Sequence, residues 1–472
     1  MTQTRRSNLF MDAYLQGMPD ALEIPEPRPG WGLDGIDVRG FALPDQAVAI
    51  GGTLITPDGT QDGWITVAGG VITDISTKQP EGVFSCLQTD GVILPGMLDL
   101  HGHPEFNVFA PWEPPKTYVN RYGWRSSKPY QELIRGPQND LLSTLPTGYQ
   151  LRYAEIRALV GGVTAIQGAS LKTQGSEESM VRNVDGTIFG EHRARAVIDL
   201  PSSLDSPRGG PAFKKIVESI GAGEVKALYV HLAEGRADNQ RSRDEFDHLV
   251  GLGGLTAATI IIHGTALSRE QFEQANAVGA RLVWSPQSNL RLYDQTTSVA
   301  DALEIGMPVA LGADWLPSGS QSLLAEMKVA REELKNQNHP ITAKELVTMV
   351  TSGAADVAGL GDKLGRLEVG RAADLVVMAR QDHDPYESIC QSTPAEVELV
   401  MIGGDVVYGQ VGFVTVLFGH IDQEYESVRA WGRQMLLDTR YAIRPGKDRA
   451  PKLSAIRQAL TNVYRPVGPI WA

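Results

Sequence analysis

The chain has 472 residues, of which 42% are hydrophobic and 21% are charged, and its formal net charge is −13. This balance is typical of a globular protein, and the length suits a large barrel with an accessory domain. An acidic surface repels phosphate backbones and anionic headgroups, so nucleic acid and membranes are poor candidate partners. Two cysteines are too few for a disulfide framework, and the N-terminus lacks the apolar segment of a signal peptide, so we expect a cytoplasmic protein.

The two ends of the chain share a β-rich pattern. Residues 1 to about 45 are rich in Pro and Gly, and we expect an arm that packs on a neighbouring part of the protein or on another subunit. From Val48, the runs VAIGGTLITPDGT and GWITVAGGVITDIS predict short antiparallel strands separated by turns. The pattern returns in KLGRLEVGRAADLVVMAR and VELVMIGGDVVYGQ. We therefore expect residues 46–95 and 366–418 to form one composite β-sandwich.

Residues 96–365 alternate apolar strands with helical segments. Seven strands are evident: GVILPGMLDL, GGVTAIQG, RARAVIDL, VKALYVHLAE, ATIIIHG, ARLVWSP and MPVALGAD; VRNV is the candidate for an eighth. Apolar strands joined by helices are typical of a parallel sheet buried on both faces, and this number predicts an α/β fold with a closed (β/α)₈ barrel. Residues 419–472 are predicted to form a C-terminal extension, with a helix over ESVRAWGRQMLLDTRYA and a basic tail.

Residues able to bind a metal stand where the predicted strands end, which is where a barrel builds its active site. His101 and His103 follow GVILPGMLDL, and residues two apart in a strand point to the same side, so both imidazoles can face one ion. His231, His263 and Asp314 end three later strands. Each residue alone has an ordinary explanation, such as a buried core histidine or an Asp that caps the next helix. Their combination, in this order, favours a metal centre.

Several motifs resemble the metal-dependent amidohydrolase superfamily: PGMLDLHGH, HLAE, HG, SPQSN, LGAD and LGRLEVGRAADLVVM, in this order over roughly residues 46 to 410. The nearest likeness is to its single-metal branch of cytosine, guanine and triazine-type hydrolases, with some similarity to phenylurea and thiocarbamate hydrolases. The resemblance implies a distorted barrel, a sandwich built from both chain ends, and one divalent ion, Zn²⁺ or alternatively Fe²⁺. It implies the ligands His101, His103, His231 and Asp314. Two-metal relatives carry a bridging lysine where this chain has Gln167, so one ion is expected.

The resemblance also implies catalytic roles. Asp314 would accept the proton of the attacking water as well as touch the metal. Glu234, three residues after His231, would carry a proton to the leaving nitrogen, because an amine leaves poorly unless it is protonated. An acidic residue in the first turn of the next helix is the alternative explanation for Glu234. His263 would bind the substrate oxygen or the attacking water and stabilise charge in the tetrahedral intermediate.

Candidate substrate-binding residues have weaker signals. Ser288 and Asn289 of SPQSN would bind substrate or orient His263, although the same residues beside a proline also make an ordinary turn. The segment NVFAPWEPPKTYVNRYGWR and the residue after Asp314 supply aromatic side chains at the predicted barrel mouth: Trp112, Tyr122, Trp124 and Trp315. Aromatic side chains there would favour an apolar or aryl substrate group. Alternatively, they pack the arm or a partner subunit.

These observations predict a hydrolase of the C–N bond in an amide, urea or carbamate-like small molecule with an apolar or aryl group. The alternative is deamination of an amino-heterocycle such as a purine, pyrimidine or triazine. Both reactions add hydroxide to an sp² carbon and expel a protonated nitrogen, so the metal site alone does not separate them. A scaffold with a vestigial site is a third possibility, which the complete ligand set disfavours. We expect a homo-oligomer.

Overall fold

The computed structural model describes residues 47–83, 85–146, 148–168, 179–418, 425–438 and 451–471. The predicted N-terminal arm lies outside the described residues. Within the described residues, no helix has both the length and the apolar character needed to span a membrane.

The strands are β1 Val48–Thr56, β2 Gly59–Ala68, β3 Val71–Ser76, β4 Ser85–Pro95, β5 Met97–Asp99, β6 Val163–Ile166, β7 Arg182–Asn183, β8 Ala194–Val197, β9 Ala227–Leu232, β10 Thr259–His263, β11 Arg281–Trp284, β12 Val309–Leu311, β13 Leu375–Met378, β14 Val397–Ile402, β15 Asp405–Gln410, β16 Glu426–Ala430 and β17 Arg433–Leu437.

The α-helices are α1 Arg121–Arg125, α2 Lys128–Tyr130, α3 Gly136–Thr144, α4 Gly148–Val160, α5 Gly210–Gly221, α6 Gln240–Gly251, α7 Arg269–Ala277, α8 Pro286–Tyr293, α9 Val299–Glu304, α10 Leu323–Asn336, α11 Ala343–Thr348, α12 Ser352–Val357, α13 Pro385–Gln391, α14 Val411–Phe418 and α15 Leu453–Val463. A π-helical turn, Gln131–Arg135, joins α2 to α3, and Pro104–Phe106 and Pro394–Glu396 are single 3₁₀ turns.

The β-rich ends of the chain contribute to one nine-stranded sheet, in the order β16-β17-β15-β14-β13-β4-β1-β2-β3. β1 and β4 pair in parallel, whereas the other neighbours in this sheet are antiparallel. Alternate side chains such as Leu375 and Val377 of β13 face one apolar core, and Val376 and Met378 face another. Both faces of the central strands are therefore covered.

The helix predicted over residues 426–442 is wrong. This stretch begins with a hairpin of β16 and β17, and Trp431 and Gly432 form its two-residue turn with φ of 46° and 79°. Both turn residues have positive φ, which is the backbone shape that matches the twist of a hairpin. Val428 and Met435 lie inside the sheet, and their spacing suits a helical face as well as two strands, so local sequence did not decide between them. The tail contains α15, which packs on α4.

Every strand predicted between residues 96 and 365 is confirmed, including VRNV, which contains β7. The strands form two parallel sheets, β12-β11-β10-β9-β8 and β5-β6-β7. In β10, Ile260 and Ile262 face one apolar core and Ile261 faces another, so the strand is buried on both faces. A parallel bridge between Gly102 and Asp314 joins the chain just beyond β5 to the chain just beyond β12. The carboxyl ends of these strands therefore lie side by side.

Candidate metal centre and active site

The two histidines of the HGH motif meet a third histidine from a distant strand. His101 and His103 follow β5, and His231 lies in β9. The Nε2 atom of His231 is 3.2 Å from Nε2 of His101 and 3.2 Å from Nε2 of His103. The structure thus brings the imidazole of His231 against those of His101 and His103, about 130 residues earlier in the sequence.

A carboxylate completes this cluster. Oδ1 of Asp314 is 3.4 Å from Nε2 of His101 and 3.7 Å from Nε2 of His103. Ligand atoms placed about 2.1 Å from a tetrahedral zinc ion are about 3.4 Å apart, so these separations suit four ligands of a single ion. The donor set fits a divalent metal.

The charge state of the histidines also fits metal binding. Burial, together with the neighbouring imidazoles, lowers the pKa of His101 and His231 well below the usual value. Neutral imidazoles offer a lone pair, which a metal ligand needs. The Nδ1 atom of His101 is 2.8 Å from the hydroxyl of Ser285. With Nδ1 as the donor to this hydroxyl, the lone pair lies on Nε2, the nitrogen that faces the cluster.

His263 ends β10 and lies beside the cluster. Its Nδ1 atom is 2.9 Å from Oδ1 of Asn289, and an amide oxygen only accepts, so Nδ1 carries the proton. The amide nitrogen of Asn289 donates to the hydroxyls of Thr296 and Thr297, which fixes the orientation of the amide. Nε2 of His263 lies 3.7 Å from Oε2 of Glu234. Asn289 therefore orients His263, one of the two functional roles that the sequence left open for it.

Three residues at the site, two of them candidate functional residues, have a left-handed backbone conformation. Ala233, His263 and Asp314 have φ of 54°, 68° and 59°. They follow or end β9, β10 and β12, so the chain turns sharply where each parallel strand reaches the site. Such conformations cost about 1–3 kcal/mol in non-glycine residues and occur most often at functional sites. The strained turns therefore add an independent backbone signal for this end of the sheet.

Glu234 has a partner that sequence reasoning missed. The phenol of Tyr293 donates a 2.5 Å hydrogen bond to Oε1 of Glu234, and the indole of Trp124 donates to the Tyr293 oxygen at 2.8 Å. Tyr293 is the last residue of α8 and lies four residues after Asn289, on the same helix face. That spacing within SPQSNLRLY was the available signal.

The predicted aromatic residues divide into two groups. The rings of Trp124 and Trp315 stack with centroids 5.2 Å apart, and Tyr130 packs against both. Trp112 joins this cluster through Tyr130, 6.4 Å away. Tyr122 is not part of it, because its hydroxyl donates to Glu245 and its ring lies beside Arg121 and Arg241.

A family model described as the amidohydrolase family matches residues 155–407, which is more than half of the chain. The chain belongs to the amidohydrolase family. The resemblance stated from the motifs is confirmed, and so is the predicted class, a metal-dependent amidohydrolase that acts on carbon–nitrogen bonds other than peptide bonds.

Several proteins are similar to this amidohydrolase. A 5-methylthioadenosine/S-adenosylhomocysteine deaminase of Teredinibacter turnerae is 25% identical over 325 residues, which are 62% of this chain and 73% of that protein. An adenosine deaminase from Xanthomonas campestris, solved with bound zinc, has a TM-score of 0.61 at 15% identity and covers 89% of this chain and 99% of its own. A triazine hydrolase of Arthrobacter aurescens has a TM-score of 0.64 at 17% identity, with the same coverage. At these identities the solved structures show a shared fold.

Two further groups lie beside the candidate ligands of this amidohydrolase. The Ser288 hydroxyl is hydrogen-bonded to Asp314 and lies 2.7 Å from the Ser318 hydroxyl, and Ser288 is fully buried. The structure therefore places Ser288 behind Asp314. At the ends of β6 and β7, the amide nitrogen of Gln167 lies 3.1 and 3.2 Å from the two oxygens of Asp185. Asp185 follows β7 as Asp314 follows β12, but it was not among the residues predicted from the sequence.

Proposed function

We propose that this amidohydrolase is an aminohydrolase that removes the amino group from an amino-heterocycle, most directly a 6-aminopurine nucleoside. The observation that carries the proposal is the position of Oε2 of Glu234 and Nε2 of His263, 3.7 Å apart beside the histidine–aspartate cluster. Deamination, like other hydrolysis of C–N bonds, needs a proton carrier next to a site for activated water. The deaminase relatives support this choice of substrate class.

The aromatic cluster gives less support to an aryl amide or urea substrate than the sequence suggested. Trp112, Trp124 and Trp315 are 4%, 9% and 4% exposed. Their rings pack against one another and against Tyr130. The prediction of an aryl amide or urea substrate depended on aromatic side chains that are free to contact it. Deamination of an amino-heterocycle is therefore the better supported function of the two.

We further propose that β5 to β12 close into a (β/α)₈ barrel, spanning about residues 96–365, as the sequence predicts. Eight parallel strands and the bridge from Gly102 to Asp314 support this closure. The nine-stranded sheet would be the composite β domain, with β16 and β17 added to the predicted ranges 46–95 and 366–418. Homo-oligomerisation and a cytoplasmic location stay predictions.

We assign the metal to His101, His103, His231 and Asp314. Imidazoles and a carboxylate suit Zn²⁺ first and Fe²⁺ second. When bound, such an ion lowers the pKa of a coordinated water towards neutrality and so supplies the nucleophile. His263 is near enough to the same cluster to be a ligand, but its contact with Glu234 favours a role in binding the water or the substrate.

The protons are moved by this chain's own carboxylates. Asp314 accepts one proton from the attacking water as the new C–O bond forms. Oε2 of Glu234 gives one proton to a ring nitrogen, takes the second water proton from the new hydroxyl as the carbonyl forms, and delivers it to the amino nitrogen, which leaves as ammonia when the C–N bond breaks. The proton held by Asp314 then restores Glu234. Nε2 of His263, which carries a lone pair because the proton is on Nδ1, accepts a hydrogen bond from the attacking water and holds its oxygen towards carbon.

The test is product analysis on the purified chain, together with its metal content. We expect ammonia from 5′-methylthioadenosine or adenosine, and no aniline from a phenylurea, an aryl carbamate or acetanilide. Aniline release with no ammonia from either purine nucleoside would overturn the proposal in favour of amide or urea hydrolysis. Turnover of neither group despite one bound metal per chain would favour the scaffold.

Two variants test the assigned roles. His231→Ala should lose the metal, whereas Glu234→Gln should keep it and lose about 10³-fold in kcat, because the amide cannot carry the proton. Glu387→Gln, on α13 and far along the chain from the site, is the matched control and should keep both. Full activity of Glu234→Gln would remove Glu234 from the mechanism.

A further inference from the structure

Tyr293 and Trp124 form a buried hydrogen-bonded chain that ends on one oxygen of Glu234. Tyr293 is fully buried, Glu234 is 4% exposed and Trp124 is 9% exposed. Trp124 comes from α1, in the segment after β5, and Tyr293 comes from α8, after β11. The two residues reach the carboxylate from different elements, so the contact does not follow from local chain geometry.

The direction of each hydrogen bond is fixed by the groups themselves. An indole N–H only donates, so Trp124 must donate to the phenol oxygen of Tyr293. A phenol has one proton, and among the described residues Glu234 is the acceptor within its reach. Tyr293 therefore donates to Oε1 of Glu234. Burial and the adjacent Glu234 raise the pKa of Tyr293 well above its usual value, which keeps this proton in place.

This direction restricts where Glu234 can carry a proton. If the proton were on Oε1, that oxygen would be a much weaker acceptor for the Tyr293 hydroxyl, and a buried donor left unpaired costs about 1–3 kcal/mol. If the proton is on Oε2, the Tyr293 bond is kept. Oε2 is also the oxygen 3.7 Å from Nε2 of His263, on the side where the reaction is expected.

We propose that Tyr293, anchored by Trp124, is a positioning residue that holds the transferable proton of Glu234 on Oε2. The proposal rests on the proposed function, since it assumes that Glu234 carries a proton to the leaving group. It adds two residues to the proton-transfer machinery. It also links the aromatic segment after β5 to the chemistry, because Trp124 belongs to both.

The test compares a leaving group that needs a proton with one that does not. Both substrates take a ring proton, but ammonia leaves a 6-aminopurine only after a further proton reaches its nitrogen, whereas chloride leaves 6-chloropurine riboside without one. Tyr293→Phe should lower kcat on adenosine by about 10- to 100-fold, the usual effect of removing a group that orients a site residue. Its kcat on 6-chloropurine riboside should fall by less than about 3-fold, and KM and metal content should change little.

Two more variants separate this role from simple packing. Tyr408→Phe removes another fully buried phenol, in the nine-stranded sheet, whose hydroxyl has no hydrogen-bond partner among the described residues, and should leave both rates within about 2-fold. Trp124→Phe removes only the anchor and should reproduce the selective loss at a smaller size, about 3- to 10-fold. It carries the test if Tyr293→Phe does not fold.

The outcomes separate this proposal from the proposed function. Ammonia release by the unmodified protein decides the function, and the ratio of the two rate losses decides the role of Tyr293. Equal losses on the amino and chloro substrates, or no loss on either, would overturn the positioning role while leaving the deaminase assignment intact. If the protein instead releases anilines, acetanilide and 4-nitroacetanilide form the corresponding pair, because 4-nitroaniline leaves with less help from a proton.

Discussion

A buried ion pair supports the turn that carries Glu234, and it gives the sharpest stability prediction. Nη1 of Arg121 lies 2.9 Å from Oε2 of Glu245. The same oxygen accepts from the backbone N–H of Ala233, and the other oxygen of Glu245 accepts from the Tyr122 hydroxyl, both at 2.8 Å. The backbone N–H of Arg121 in turn donates to the carbonyl of Glu234 at 3.2 Å. Glu245→Gln should therefore loosen both the aromatic segment and the Glu234 turn.

The size of the effect follows from burial. The side chains of Arg121 and Glu245 are 1% and 10% exposed, and breaking a buried pair by removing one partner costs about 3–5 kcal/mol. Glutamine still accepts hydrogen bonds, and Asp199 stays 3.5 Å from Nε of Arg121, so part of the loss is offset. We expect the free energy of unfolding to fall by about 2–4 kcal/mol.

The control is an ion pair of similar length nearer the surface. Nη2 of Arg331 lies 2.6 Å from Oε1 of Glu387, but these side chains are 37% and 28% exposed. Such pairs contribute about 0.2–1 kcal/mol. Both Gln variants would be unfolded in urea and followed by tryptophan fluorescence. If Glu387→Gln lost as much stability as Glu245→Gln, the reasoning from burial would be refuted.

Two further variants test the packing and the titration. A Cβ at Gly312 would lie 2.4 Å from Cβ of His101, whereas a Cβ at Gly221 meets nothing within 4 Å; Gly312→Ala should therefore lower the metal content, and Gly221→Ala should not, as measured by elemental analysis. Burial raises the pKa of Glu398 to about 7 despite the opposing effect of Arg433, so the folded state holds more protons than the unfolded state between about pH 4.5 and 7, and stability falls as the pH rises through that window. Glu398→Gln cannot ionise, so between pH 5 and 8 it should lose about 2–3 kcal/mol less stability than the unmodified protein in denaturant titrations; an unchanged pH dependence would contradict this.

The parallel strands could be predicted because a strand buried on both faces is a continuous apolar run in the local sequence. A run such as TIIIH in β10 has no polar face, and a helix or turn signal follows each such run. The C-terminal hairpin has no such continuous apolar run. Its pairing partner β15 lies near residue 408, and only that long-range pairing decides between the strand and helix periodicities of residues 426–437.

The candidate ligands could be predicted because their side chains are unusual where they stand. A histidine or aspartate at the end of an apolar strand is easily noticed, and His101, His231 and Asp314 all have this position. The residues that orient them are ordinary polar residues in a loop or helix. Ser285 lies 184 positions from His101, and the contact has no counterpart in local sequence.

One helix face sets the hydrogen-bonding state of three different site residues. Ser285 is the N-cap of α8, and Asn289 and Tyr293 follow it within the helix at intervals of four residues; residues four apart share a face. Their hydrogen bonds go respectively to His101, His263 and Glu234. Each bond occupies the atom that faces away from the cluster, which leaves Nε2 of each histidine and Oε2 of Glu234 for the chemistry. In the proposed mechanism, α8 therefore fixes which atom of each group reacts, and a fixed spacing of polar residues after the seventh parallel strand is the sequence feature that encodes it.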